Sequence, residues 1–172
     1  MKNNTSIRFR TGLYFIVSFI ALACMTILFS CKKTAEKATE KIIEKSMGDD
    51  ANVDIDDQKI VMETEEGTFT SDATVRSWPK EIPNEIPEFK FGKISNLSTQ
   101  VMDEGKGWTF IFEEVGKNAM DDYKKLLKDK GFKVSSISMP GGQGQVTGEM
   151  GKTIVAMMAG ENMATLNVSI EK

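Results

Sequence analysis

The chain has 172 residues, two cysteines, no histidine and a formal net charge of −3. The absence of histidine excludes Ser-His and Cys-His nucleophile pairs and histidine-based metal sites. The acidic balance argues against nucleic acid as a partner, because phosphate binding requires clustered lysine and arginine.

The first 30 residues have the composition of an export signal. Lys2, Arg8 and Arg10 are followed by 18 uncharged, mostly apolar residues, Gly12 to Phe29. A basic start before an apolar run is typical of secretory signals. The run ends in Leu-Phe-Ser-Cys at residues 28–31, which resembles the lipobox of bacterial lipoproteins. The resemblance implies cleavage between Ser30 and Cys31 and attachment of acyl chains such as palmitate to Cys31.

Two other interpretations of this segment stay open. Cys24 also follows a small residue, but cleavage there would leave residues 25–29 as an exposed apolar stub. Without cleavage, a run of about 18 apolar residues is just long enough to span a bilayer. Each interpretation places the rest of the chain outside the cytoplasm and tethered at its N-terminus.

Cleavage before Cys31 would change the composition. Removing the three basic residues of the signal from 22 leaves 19 basic against 25 acidic side chains, a balance of −6. With Cys24 removed and Cys31 acylated, no thiol remains for a disulfide, so the core alone must hold the fold. The predicted organisation is a signal peptide (1–30), the lipidated cysteine with a spacer helix (31–48), a small β-meander (49–71), a proline-rich connector (72–88) and an α+β domain (89–172).

Residue spacing supports these divisions. Helical spacing of apolar residues predicts a helix over 34–47, with Gly48 placed to end it. Alternation of apolar and acidic residues at 53–56 begins the predicted three-stranded meander. Proline recurs every four residues at Pro79, Pro83 and Pro87, which predicts an extended connector.

The last 84 residues, 89–172, show the order β-β-α-β-β-β-β. An apolar stripe predicts the helix over 117–130, and short turns between the strands predict antiparallel pairing. In a regular strand, Phe132 and Val134 would point to one face, and Ile137 and Met139 would point to the other. This change of face predicts a bulge near Ser135. The predicted fold class is therefore α+β, with one helix packed on an antiparallel sheet in two layers.

Several motifs together resemble a group of bacterial envelope lipoproteins that has no assigned activity. They are an A-E-K helix, a V-D-I-D alternation, a W-P-x-x-I-P connector and a D-D-Y-K-K-L-L-K helix, in that order. The resemblance implies architecture and location and does not imply a reaction.

Candidate chemical sites are few. Glu113 and Glu114 lie where a strand meets a helix, but adjacent strand residues point to opposite faces. The acidic segment 49–57 lacks the glycine at the sixth position of an EF-hand loop when the loop starts at Asn52. Alternation explains its pattern without calcium. These observations predict no catalytic, cofactor or metal residue.

Two further motifs have ordinary explanations. Residues 140–144 are glycine-rich but have no Lys-Ser/Thr pair and open no helix, so a hairpin loop is favoured over a phosphate site. Thioether sulfur can bind Cu(I), but methionine is also a common core residue. The methionines concerned are Met150, Met157, Met158 and Met163.

We therefore expect a non-enzymatic envelope lipoprotein that is anchored through Cys31 and binds another envelope component. The alternatives are a small carboxylate-based hydrolase, a ligand-binding domain and a calcium-dependent module. In the usual sorting rule, an Asp after the lipidated cysteine retains the protein in the inner membrane. Lys32 follows Cys31 here, which favours the outer membrane.

Overall fold

A computed structural model describes residues 36–44 and 51–172. The chain divides into two compact units, Met1–Ile43 and Glu44–Lys172. Residues 36–44 form helix α1, and the signal peptide, Cys24 and Cys31 lie outside the described residues. No helix within residues 36–44 and 51–172 is both long and apolar enough to cross a membrane.

The second unit is built on one antiparallel sheet of nine strands. The strands are β1 (Asn52–Asp56), β2 (Lys59–Thr64), β3 (Gly67–Asp72), β4 (Lys93–Met102), β5 (Gly105–Glu113), β6 (Lys133–Met139), β7 (Gln143–Met150), β8 (Thr153–Ala159) and β9 (Met163–Glu171). Their order across the sheet is β1-β2-β3-β4-β5-β9-β8-β7-β6, so β1 and β6 form the two edges. Helix α2 (Ala119–Asp129) connects β5 to the distant edge strand β6.

The predicted fold class is wrong. Strands contain 51% of the described residues and helices only 15%, which makes the fold sheet-dominated. The predicted three-stranded meander is present as β1–β3, and it continues into the larger sheet because β3 pairs with β4 from Gly67↔Met102 to Asp72↔Leu97. Residues 52–72 therefore extend the same sheet that the C-terminal strands form. The sequence could not show this pairing, since a 20-residue connector separates β3 from β4.

The core lies on one face of the sheet, which we call the core face. Its central side chains come from the middle strands and are almost fully buried; they include Phe110, Phe112, Val155, Met157, Leu166 and Val168. Each such side chain contributes about 1.5–3 kcal/mol when it is removed from water. The proline-rich connector covers part of this face: the Trp78 and Phe110 rings stack with centroids 4.6 Å apart.

Helix α2 contacts β6, β7 and β8. Its apolar stripe buries Met120, Tyr123 and Leu127 in the core. The Tyr123 hydroxyl donates a hydrogen bond of 3.0 Å to the Pro87 carbonyl, so the helix also holds the connector. Gly131, at a φ of 89°, ends the helix, and its N–H bonds to the Lys128 carbonyl.

Candidate binding surface

The face of the sheet opposite the core, here called the outer face, exposes large apolar side chains on β6, β8 and β9. In an antiparallel sheet, directly paired residues point to the same face. Ile137, Gln145 and Met158 are successive partners across β6, β7 and β8. We call the exposed group the outer patch, which comprises Ile137, Met139, Ile154, Met158 and Met163. Gln145 of β7 lies between Ile137 and Met158 in this row, so the outer patch is a group of exposed apolar side chains on one face and not a continuous apolar surface. Exposed apolar residues gathered on one face can mark an interaction site.

The outer patch depends on the absence of the predicted bulge in β6. The β6–β7 register is continuous from Lys133↔Glu149 to Met139↔Gln143. Without a bulge, Val134 faces the core while Ile137 and Met139 face the opposite side. Their exposed fractions are 68% for Ile137 and 55% for Met139. The prediction of a bulge near Ser135 was therefore wrong, and the irregularity in the sheet lies instead in β4, between Ile94 and Asn96.

The structure does not bring the two groups of candidate carboxylates together. Glu113 is exposed at the end of β5. Glu114 has a φ of 57° and its carboxylate lies 2.7 Å from the Lys93 ammonium in an exposed ion pair. Asp54 and Asp56 lie on β1, four strand positions from β5. Strand spacing separates these two groups by about 19 Å. Asp49 and Asp50 lie outside the described residues.

The other candidate motifs are also dispersed. Met157 is buried on the core face, whereas Met158 is exposed on the outer face, so these neighbours cannot share a thioether site. Residues 140–142 form the β6–β7 turn, and Gly142, at a φ of 79°, packs against the Lys117 carbonyl. Across residues 36–44 and 51–172, no group of three or more Asp, Glu, His or Cys side chains is arranged to hold a metal ion.

Sequence patterns did not reveal a cleft of about 480 Å³ at the β2–β3 turn. Met62, Phe69 and Met102 supply its apolar lining, and Glu65 and Glu66 supply carboxylates. Met62 and Phe69 are direct partners in the β2–β3 register and lie on the outer face. The alternating sequence pattern does not say which face of the sheet is buried, so it could not show that these two side chains line a cleft. The cleft can accept an apolar group beside negative charge.

Two carboxylates, those of Glu81 and Asp72, have lowered pKa values because neighbouring groups donate hydrogen bonds to them. Hydrogen bonds from the Trp108 indole and from Lys106, each 3.0 Å long, lower the pKa of Glu81 below its usual range. Glu81 thereby ties the connector to β5. Hydrogen bonds from the Thr74 hydroxyl and N–H lower the pKa of Asp72. Each group is already satisfied by its neighbours, so neither is arranged as a general acid or base.

Comparisons with protein-family models, with curated proteins and with solved structures find no match to this chain.

Proposed function

We propose that this protein is a lipid-anchored bacterial envelope protein whose sheet binds another envelope protein. The observation that carries the binding role is the outer patch, an apolar surface on β6, β8 and β9. Burying such side chains against a partner removes apolar area from water, and this favours association against the freedom that the two proteins lose. Three of the five members are methionines, whose flexible side chains adapt to a partner surface.

The proposed anchor rests on the sequence. The lipobox-like residues 28–31 end an uncharged run and precede a polar chain. Stable membrane attachment takes two or more acyl chains, which a diacylated or triacylated Cys31 would provide. Lys32 after this cysteine favours the outer membrane under the usual sorting rule, in a cell that has one.

We do not propose the carboxylate-based alternative. Glu113 and Glu114 are exposed, and Glu114 is engaged with Lys93.

In-cell photocrosslinking tests the binding role. A photoreactive amino acid replaces Met158 in the outer patch or, as a control, Asp103 in the β4–β5 turn. We expect membrane-associated crosslinked products from position 158 only. Ile137→Glu should remove these products, since residues 137 and 158 belong to one cross-strand row. Equal products from both positions, or products insensitive to Ile137→Glu, would contradict a binding role for the outer patch.

A further inference from the structure

Strand β6 leaves backbone hydrogen-bonding groups open along one side. Within the part of the chain that the structure describes, β6 pairs with β7 and with no other strand. In an antiparallel ladder, the N–H and C=O of one residue point to the same side, and successive residues alternate. The Ile137 carbonyl lies against Gly144 of β7. Val134, Ser136 and Ser138 therefore direct their N–H and C=O groups away from the sheet.

The sequence of β6 does little to protect this edge. Natural edge strands usually avoid pairing with other chains through charges, proline or bulges. Strand β6 has a continuous register, contains no proline, and has Lys133 as its one charged residue. Ser136 and Ser138 alternate with Ile137 and Met139 near its end, and all seven residues except Val134 and Ser136 are exposed.

Lys124 places a basic side chain at this edge. The Lys124 ammonium lies 2.7 Å from the Ser136 hydroxyl, on the core side of β6. Lys128 lies one helical turn after Lys124, and the backbone of Lys117 lies beside the β6–β7 turn. Lys133 is on the strand itself. The neighbouring acids are Glu149, which is the ladder partner of Lys133, Asp121 and Asp122 in the first turn of α2, and Asp129 at its last residue.

The opposite edge differs in charge. Strand β1 places Asp54 and Asp56 on an alternating V-D-I-D segment, with no lysine or arginine within the strand. An acidic segment would be repelled there, whereas lysines would attract it at β6. Complementary charges steer partners and suppress incorrect ones.

We infer that β6 binds an extended acidic segment of a partner protein, which adds to the sheet as a tenth strand. The added backbone would pair with Val134, Ser136 and Ser138 in the manner of β-strand addition. Acidic side chains on its core side would contact Lys124, and apolar side chains on its other side would extend the outer patch at Ile137. The inference rests on the proposed binding function and specifies the chemistry of the partner.

A peptide-binding experiment tests the inference on the full chain in detergent. The probe is a fluorescent peptide of alternating valine and aspartate, seven residues long to match β6. The control peptide carries lysine in place of aspartate. We expect the aspartate peptide to bind at least about tenfold more tightly by fluorescence anisotropy, since charge placement governs partner discrimination. Lys124→Glu should reverse part of this preference.

Two variants of one residue separate backbone pairing from surface charge. Ser138→Pro removes an N–H that points to the open edge, where proline is tolerated because the bond to β7 is untouched. Ser138→Ala removes the same hydroxyl and keeps the N–H. We expect Ser138→Pro to weaken peptide binding about tenfold or more and Ser138→Ala to leave it unchanged.

The outcomes distinguish the inference from the proposed function. Equal binding by the Ser138→Pro and Ser138→Ala variants, or no preference for aspartate, would overturn strand addition by an acidic segment. Persistent crosslinks at position 158 would then still support a binding role for the outer patch. Self-association of the full chain that Ser138→Pro abolishes would also overturn the inference, because a second copy would be the occupant of β6.

Discussion

Removing one buried hydroxyl tests the attachment of the proline-rich connector to the rest of the fold. In Tyr123→Phe, the ring stays in place against Phe89, whose centroid lies 5.3 Å away. The Pro87 carbonyl loses its 3.0 Å hydrogen bond from the Tyr123 hydroxyl. A buried polar group left without its partner costs about 1–3 kcal/mol, so we expect the free energy of unfolding to fall by about 2 kcal/mol.

Thermal and urea denaturation followed by circular dichroism measure this loss. For a unit of this size, a loss of about 2 kcal/mol corresponds to a decrease in Tm of roughly 6–10 °C. Ser138→Ala is the matched control, since it removes an exposed hydroxyl and should change stability by less than about 0.5 kcal/mol. An equal, small effect for both variants would refute the claim that the Tyr123–Pro87 bond stabilises the connector.

The same side chain predicts a response to alkaline pH. Burial raises the pKa of Tyr123 well above its usual range. The unfolded chain loses this proton near pH 10, so the folded state binds more protons above that pH. The contribution of Tyr123 to stability is therefore fully present below about pH 10 and declines as the pH rises further. The chain has two tyrosines, and cleavage before Cys31 would remove Tyr14, so tyrosinate absorbance of that form would report Tyr123 alone.

The remaining predictions concern packing, backbone and charge. Leu166→Ala, in the fully buried core, should cost about 2–5 kcal/mol in urea denaturation; a loss below about 1 kcal/mol would contradict the assigned core. Gly67→Ala should destabilise strongly because Gly67 has a φ of 147° and packs against a β4 carbonyl, whereas Gly116→Ala meets no neighbour and should change little. For Glu81, hydrogen bonding from Trp108 lowers the pKa, so its stabilisation is present above the unfolded value and is lost as pH falls through the folded pKa. Glu81→Gln should weaken that acid dependence in denaturation curves at several pH values, and an unchanged dependence would exclude this role.

Local patterns predicted many of the elements but not their assembly. Turn residues and alternation indicate strands, and the stripe of α2 is visible as Met120, Tyr123 and Leu127. The pairing of β3 with β4 and of β5 with β9 joins distant parts of the chain. Such pairing depends on the whole sheet rather than on spacing within one segment, so the predicted two-layer α+β fold class was wrong.

The outer patch was missed for a related reason. In a regular strand, Val134 and Ile137 point to opposite faces. Either a bulge between them places both side chains on the core face, or the apolar side chain of Ile137 is exposed. The sequence does not distinguish these outcomes, and the structure shows exposure. The open edge of β6 was likewise not predictable, because its position depends on the crossover that α2 makes to the far side of the sheet.

The most direct test of the lipid anchor is a measurement of intact mass. The mass of the protein extracted from membranes is compared with that of a Cys31→Ala form. We predict a chain that begins at Cys31 and carries added acyl mass, with both the cleavage and the added mass absent from the variant. A full-length chain without acyl mass would contradict the lipid anchor. Residues 12–29 would then be the candidate membrane segment, because their run of 18 uncharged residues would remain in the protein.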